Sequence, residues 1–451
     1  MGRLFGTDGV RGIAGTELSF ELTANIAKAA AMIIEEKTGK KPKFLIGRDT
    51  RVSGQMLEAA VCAGLCSVGA DVTVLGVLPT PAVAYLVTEM GADAGIMLSA
   101  SHNPYEYNGI KIFGSEGFKL TDEEEFEIEE IVLDGKMQYT QRWGAQLGHI
   151  QYDHTAVNKY INHIVSTVSD DLQGIRVAID CGNGSASATA KQLFDKLGAQ
   201  AVIINSDPNG LNINKDCGST HIQQLCDIVK QGGFDAGIAY DGDADRCLAV
   251  DEQGNELSGD KIIAVMAKHL KDQGRLAQNK VAVTIMSNFG FFQFAEKNGI
   301  ETETTKVGDR YVLERMTQKG LTLGGEQSGH IIFRDFMTTG DGQLSSIQLL
   351  ELIKQNKKTL SQLATIMEEC PQVLIGVRAD SYMKSKWELD EGVAKAIAQG
   401  KEQLGKEGRI LVRASGTEPL IRIMIEGKDL KLIDQIANNI AETIKDRLEQ
   451  K

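Results

Sequence analysis

One layout occurs three times along this 451-residue chain: strand, helix, strand, helix, strand, then a polar loop. Such a repeat constrains architecture more than any single motif, because each copy must bury the same faces in the same way. The first copy is expected to open at Lys43-Phe44-Leu45-Ile46-Gly47. A helix follows with Met56, Leu57, Ala60, Val61, Leu65 and Val68 at near-helical period, then a strand over 71–75 and a helix over 81–90. Its last strand, 94–98, delivers Ser99-Ala100-Ser101-His102-Asn103-Pro104. The second copy reads as strand 175–180, helix 185–197, strand 201–204, helix 220–231 and strand 236–240, which delivers Asp241-Gly242-Asp243-Ala244-Asp245-Arg246. The third reads as strand 281–285, helix 289–297, strand 301–305, helix 310–319 and strand 321–323, which delivers Gly324-Gly325-Glu326-Gln327-Ser328-Gly329-His330.

Strands separated by helices predict parallel pairing and α/β layering. Ligands of such sheets bind beyond the carboxyl ends of the strands, where each copy carries its most polar loop. The tail differs: 409–412 and 420–426 alternate like two strands around Arg413-Ala414-Ser415-Gly416-Thr417-Glu418-Pro419. A final helix carries Leu430, Ile433, Ile436, Ile440 and Ile444 on one stripe. The expected fold is α/β: three similar mixed-sheet α/β domains plus a smaller C-terminal α+β domain around a central cleft. The expected domains are 1–155 with the Ser101 loop, 156–254 with the aspartate loop, 255–369 with the Glu326 loop, and 370–451 with the tail loop.

Composition excludes several classes of function. A net charge of −13 argues against nucleic-acid and anionic-membrane partners, which need a basic face. No stretch approaches the ~20 unbroken apolar residues of a membrane helix, and the start of the chain is polar, so a cytoplasmic protein is expected. The seven cysteines form no CxxC pair and predict neither a zinc site nor a disulfide framework. The acidic run 122–130 follows Thr121, which forms a capping-box pattern with Glu124, and reads as a solvated helix face.

The loops carry the chemistry. Asp241, Asp243 and Asp245 repel one another unless a cation neutralises them, and oxygen ligands suit Mg²⁺ or Ca²⁺. An EF-hand is rejected, because Arg246 stands where that loop needs glycine and the flank Cys247-Leu248-Ala249-Val250 is strand-like. Ser101 lacks a G-x-S-x-G elbow, which disfavours a Ser-His-Asp hydrolase. Phosphoryl transfer fits better, since it needs a metal, positive charge and positioning. Arg413, Ser415, Gly416 and Thr417, with Arg422 beyond them, offer a nest for a phosphate dianion. Glu326, Ser328 and His330 alternate in a glycine-rich stretch suited to vicinal sugar hydroxyls. Gly182-Asn183-Gly184 has Ser187 in place of the third fingerprint glycine and reads as a tight turn, not a dinucleotide site. Arg11, Lys111, Arg246, Arg310, Arg413 and Arg422 lie near these loops, and their convergence would make a positive pocket within an acidic shell.

Five segments in chain order carry a family resemblance. They are Phe5-Gly6-Thr7-Asp8-Gly9-Val10-Arg11-Gly12, Ser99 to Pro104, Asp241 to Arg246, Gly325 to His330, and Ser415-Gly416-Thr417-Glu418-Pro419. In these the chain resembles the α-D-phosphohexomutase superfamily over its whole length. The Gly-Thr-Asp-Gly-Val-Arg-Gly form, Ala244 and Gln327 resemble the bacterial branch that acts on glucosamine phosphates. The resemblance implies that Ser101 rests as phosphoserine on one Mg²⁺ shared with Asp241, Asp243 and Asp245. It implies interconversion of glucosamine 6-phosphate and glucosamine 1-phosphate through a glucosamine 1,6-bisphosphate; this or a similar hexose bisphosphate would also serve as activator. Glu326, Ser328 and His330 would face the sugar; Arg413, Ser415, Gly416, Thr417 and Arg422 would hold the phosphate that is not reacting. Arg11 would face the reacting phosphate, and Lys111, His102 and Arg246 are unranked candidates for proton transfer and charge stabilisation. The product would feed UDP-N-acetylglucosamine and the cell wall, and the subunits would form a homodimer. Rival readings are a glucose- or mannose-phosphate mutase of the same superfamily, and a non-catalytic sugar-phosphate-binding protein.

Overall fold

The computed structural model describes residues 2–136, 142–415 and 419–448. The chain forms two compact units: residues 1–286 with 299–366, and residues 287–298 with 367–451. Among the described residues no helix is long and apolar enough to cross a membrane.

The first unit holds three sheets. The seven-stranded sheet runs Phe5–Gly6, Gly9–Ile13, Tyr107–Gly114, Ala94–Leu98, Lys43–Arg48, Asp71–Val77 and Ile150–Tyr152. The second runs Glu256–Leu257, Cys247–Asp251, Ala236–Tyr240, Arg176–Asp180 and Gln200–Ile204. The third runs Glu301–Thr305, Lys280–Thr284, Leu323–Gly325 and Ile331–Phe333. Within each repeat the strands pair in parallel, as the alternation with helices requires. The strand after each polar loop then returns antiparallel: Tyr107–Gly114 on Ala94–Leu98, Cys247–Asp251 on Ala236–Tyr240, and Ile331–Phe333 on Leu323–Gly325. Each polar loop is therefore a connection at the carboxyl end of its sheet's delivering strand. The chain has four domains of mixed sheet and helix, the C-terminal one small.

The core of the seven-stranded sheet is packed by helices Phe20–Thr38 and Gly54–Ser67, with Ile26, Leu57, Val61, Leu65, Phe44, Ile46 and Ile96 fully or nearly fully buried. Helix Asp122–Leu133 carries the expected capping box from Thr121 and Glu124. Its acidic residues are not all solvated, however. Glu129 is 1% exposed and accepts from the backbone N–H groups of Leu4 and Phe5, and buried Glu125 pairs with Arg310. A charge run marks a wet face only where no partner reaches it.

Further expectations shift. The last strand of the third repeat is Leu323–Gly325, not 321–323, because Gly324 and Gly325 lie so close to neighbouring atoms that they fit the ladder where a side chain would not. The helix at 185–197 is a 3-10 turn, Ser185–Ala188, followed by an α-helix over Ala190–Lys196. In the second unit, three antiparallel strands replace the expected two: Gln372–Arg378, Leu420–Gly427 in the middle, and Gly408–Ala414. The final helix, Leu430–Leu448, buries Ile433, Ile436, Ile440 and Ile444, but Leu430 is 57% exposed and off the stripe.

Candidate active site

Ser101 follows the fully buried strand Ala94–Leu98 and takes φ of +53°, a left-handed conformation that L-residues avoid. The loop is fastened from below. Asp49 accepts from Ser99 Oγ at 2.6 Å, and Ser99 Oγ accepts from the Ser101 N–H at 2.9 Å. Arg51, 1% exposed, pairs with Asp49 at 2.8 Å and donates to the carbonyls of Ser101 (2.9 Å), Asn103 (2.8 Å), Tyr107 (3.0 Å) and Pro104. Ser101 Oγ is thereby aimed at Asp241 Oδ2, to which it donates at 2.6 Å, and lies 3.3 Å from His102 Nδ1. Burial, then the nearby Arg246 and Arg11, push the His102 imidazole down to about 4, so it is neutral at physiological pH.

Asp241, Asp243 and Asp245 are all buried, and each offers an oxygen within 4.8 Å of the others. The backbone between them is pinned by three separate elements. The carbonyls of Gly242, Asp243 and Ala244 accept from the N–H groups of Ser185 (2.8 Å), Thr80 (2.9 Å) and Gly342 (3.0 Å). Thr80 Oγ1 also donates to Asp243 Oδ2 at 2.6 Å. Lys111, 1% exposed, reaches from the return strand Tyr107–Gly114 to Asp243 Oδ2 at 2.8 Å and Asp245 Oδ2 at 3.2 Å. Burial opposes its charge, but Asp243, Asp245 and Asp8 hold Lys111 well above the ordinary lysine range. Asp241, which Lys111 does not touch, is held well above the carboxylate range by burial and by Asp245 and Asp243.

The donor set fits a metal ion. Asp243 Oδ1 and Asp245 Oδ1 are buried with no hydrogen-bond partner among the described residues, a costly state unless a cation takes them. Three carboxylates and a serine oxygen are hard ligands, suited to an oxygen-seeking divalent cation.

A ring of charged and polar side chains extends from this centre and links all three sheets of the unit. Lys111 pairs with Asp8 at 3.0 Å; Lys119 bridges Asp8 and Asp309, each at 2.5 Å. His330 lies 3.7 Å from both Asp309 and Asp245, which Lys111 also contacts. Arg11 joins through Asp8. His330 is 3% exposed, and its Nε2 accepts from the Gly340 N–H at 3.0 Å, so its side chain is buried beneath the Glu326 loop and not on its surface. Glu326 Oε1 accepts from the Gly308 N–H at 3.0 Å; burial pushes its carboxyl up, and Ser328 is half-buried nearby in sequence.

The structure thus brings together Ser101, His102, Lys111, Arg246, Arg11, the three aspartates, and, through Asp309 and Gly308, His330 and Glu326. Arg310 does not join a positive pocket: Asp122, Glu125 and the Leu120 carbonyl consume its guanidinium. Arg413 and Arg422 belong to the second unit, directly opposite each other on adjacent strands, and Ser415 donates its N–H to the Leu420 carbonyl at 2.8 Å. Gly416 and Thr417 lie outside the described residues. Sequence reasoning missed Asp49, Arg51, Thr80, Lys119 and Asp309. Asp8, inside the Gly-Thr-Asp-Gly segment, carried a signal; the others are single polar residues that only tertiary contact makes significant.

Residues 2–139, 158–254, 258–370 and 374–443 match, in order, alpha/beta/alpha domains I, II and III and the C-terminal domain of phosphoglucomutase/phosphomannomutase. The chain belongs to this family, whose members are phosphohexomutases, enzymes of the isomerase class. Among its relatives are phosphoglucosamine mutases: one from Clostridium novyi (strain NT) is 50% identical over 447 residues, covering 99% of each chain. One from Caldicellulosiruptor saccharolyticus is 52% identical over 456 residues, covering 99% of this chain and all of its own. Solved structures share the fold: a phosphoglucomutase/phosphomannomutase family protein of Burkholderia thailandensis has a TM-score of 0.83 at 22% identity, covering 98% of this chain and 97% of that one. The Aspergillus fumigatus N-acetylphosphoglucosamine mutase, solved in complex with GlcNAc-6P and magnesium, has a TM-score of 0.71 at 17% identity, covering 98% and 95%.

Proposed function

We propose that the chain acts as a phosphoglucosamine mutase, with Ser101 as the phosphoryl carrier. The observation that carries the reading is Ser101 Oγ held 2.6 Å from Asp241 at the edge of a buried, metal-ready carboxylate trio. Full-length identity of about half to phosphoglucosamine mutases supports the choice of sugar.

On this reading the phosphoryl group on Ser101 passes to O1 of glucosamine 6-phosphate. The glucosamine 1,6-bisphosphate turns over without leaving the enzyme, and its 6-phosphate returns to Ser101, releasing glucosamine 1-phosphate. Asp241, Asp243 and Asp245 would hold Mg²⁺, which supplies charge neutralisation as the phosphoryl group moves. Lys111 reaches Asp243 Oδ2, Arg246 lies 3.8 Å from Asp245 Oδ1, and Arg11 pairs with Asp8, so fixed positive charge borders the carboxylate trio. Neutral His102, beside Ser101 Oγ, is able to take a proton from an attacking hydroxyl. Glu326 and Ser328 would hold the sugar hydroxyls, with His330 orienting their loop from beneath. Arg413, Ser415, Gly416, Thr417 and Arg422 would grip the phosphate that is not reacting. The product would enter UDP-N-acetylglucosamine synthesis, a cytoplasmic process.

The test is turnover on glucosamine, glucose and mannose phosphates in parallel, with intact-mass measurement of wild type and Ser101→Ala. Glucosamine 6-phosphate should be the preferred substrate, and a phosphate should be present on wild type and missing from the variant. Preference for glucose or mannose phosphate would reassign the substrate; an unphosphorylated, active wild type would remove the carrier role.

A further inference from the structure

The side chain of Asn214, a residue of the second domain's loop between Ile204 and Gly218, is 6% exposed and crosses to the first domain. Its Nδ2 donates to the Ser101 carbonyl at 2.9 Å and to the Asn103 carbonyl at 3.1 Å. Both neighbours are carbonyl oxygens, so only the amide nitrogen can face them. Arg51 Nη2 donates to the same two carbonyls, at 2.9 and 2.8 Å. Two donors from two domains therefore saturate the same pair of oxygens, one on each side of the His102 peptide.

The bond to Ser101 passes close over Gly242, inside the aspartate loop. A Cβ at Gly242 would stand 2.5 Å from the Ser101 carbonyl oxygen and 2.8 Å from Asn214 Nδ2. Asn214 is itself held by its N–H to the Gly182 carbonyl at 2.8 Å, with φ of +57°. The amide is thus fixed on the domain that owns the three aspartates and grips the backbone of the domain that owns the serine.

We propose that Asn214 is a positioning residue for phosphoryl transfer: with Arg51 it clamps the carbonyls of Ser101 and Asn103, setting the serine oxygen in register with the carboxylate loop. The left-handed backbone of Ser101 is one that a free loop would leave, and the clamp holds it there. The inference rests on the reading of Ser101 as carrier. Asn214 touches no reacting atom, so its loss acts on the alignment of Ser101 Oγ, not on sugar affinity.

The experiment compares wild type, Asn214→Ala, Gly242→Ala and the double variant by kcat, KM, melting temperature and the phosphorylated fraction of Ser101. Gly242→Ala reaches the clamp by steric pressure alone, with Asn214 intact. A misplacement of about 1 Å is enough for a kcat loss of roughly 10²-fold. Each single variant should lose about 10- to 100-fold in kcat, with KM within about threefold and a melting transition close to wild type. The double variant should be no worse than the poorer single, because both break one contact. The proposal is overturned if kcat stays within twofold of wild type in Asn214→Ala, if KM rises in step with the loss, if the losses multiply, or if both singles fail to fold. Failure of the carrier reading looks different: wild type then bears no phosphate on Ser101, and Ser101→Ala turns over.

Discussion

Lys111 is the direct cross-strand partner of Met97 in the ladder between Ala94–Leu98 and Tyr107–Gly114. One hairpin therefore carries Ser101 on its connecting loop and, on its return strand, the ammonium that neutralises Asp243 and Asp245. Backbone hydrogen bonds, not flexible side chains, set the spacing between the Ser101 loop and the Lys111 strand. Lys111→Met takes the ammonium from buried Asp243 and leaves Asp245 to His330 and Arg246, which costs about 3–5 kcal/mol. Kcat should fall ~10²–10⁴-fold. Added Mg²⁺ should restore melting temperature more steeply than in wild type, because the ion takes over the lost charge. A variant insensitive to Mg²⁺ in a thermal melt would remove this account.

Asp243 has one oxygen bound by Thr80 and Lys111 and the other with no hydrogen-bond partner among the described residues. Asp243→Ala should lower Mg²⁺-dependent turnover at least ~10³-fold, the scale of losing preorganised charge stabilisation. Isothermal titration with Mg²⁺ should show the binding isotherm lost. Retained binding and turnover would take Asp243 out of the site.

Asp341 caps helix Gly342–Asn356 and accepts from Tyr160 OH at 3.0 and 2.9 Å. Burial pushes its carboxyl up to about 7 from an ordinary 3.8. The native state holds this proton more tightly than the unfolded chain does. Its stabilising contribution is complete below about pH 4 and is lost as pH rises through about 7. The full shift corresponds to on the order of 4 kcal/mol. Asp341→Asn keeps the cap and a neutral group. The melting temperature of wild type should fall relative to the variant between pH 5 and 7.5; parallel curves would contradict the shift.

Lys119 bridges Asp8 and Asp309 and is 10% exposed in its side chain. Lys119→Met should cost about 3 kcal/mol in denaturant unfolding, since two partly buried carboxylates lose their shared cation. A change below 1 kcal/mol would show that solvent already screens them.

Arg413 and Arg422 are cross-strand partners. Like charges so placed destabilise a sheet, and a bound dianion removes that penalty. Arg422→Ala should raise KM for the sugar phosphate about 10- to 100-fold, the value of a charge-assisted hydrogen bond. Unchanged KM would place the phosphate elsewhere.

The sequence made the repeat, the loops and the aspartate trio readable because strand, helix and glycine signals are local. The clamp on Ser101 was not readable. Asp49, Arg51, Ser99 and Asn214 are ordinary polar residues in sequence, and their meaning lies in meeting around two carbonyls. Arg310 was misread for the same reason: its position beside a polar loop said nothing of Asp122 and Glu125, about 190 residues earlier, which claim it. Gly182-Asn183-Gly184 was legible as a turn, and the structure supplies the reason. A Cβ at Gly184 would lie 2.3 Å from the Gly242 carbonyl oxygen, so the turn is shaped to seat the aspartate loop.

The left-handed φ of Ser101 sets stability against activity at a single atom. Glycine is the residue that this backbone would choose on conformational grounds, and a left-handed L-residue carries roughly 1–2 kcal/mol of strain. Ser101→Gly should therefore melt higher than Ser101→Ala while both are inert. Selection for heat resistance alone, with turnover unmonitored, would tend to erase the very hydroxyl that the proposed phosphoryl transfer needs.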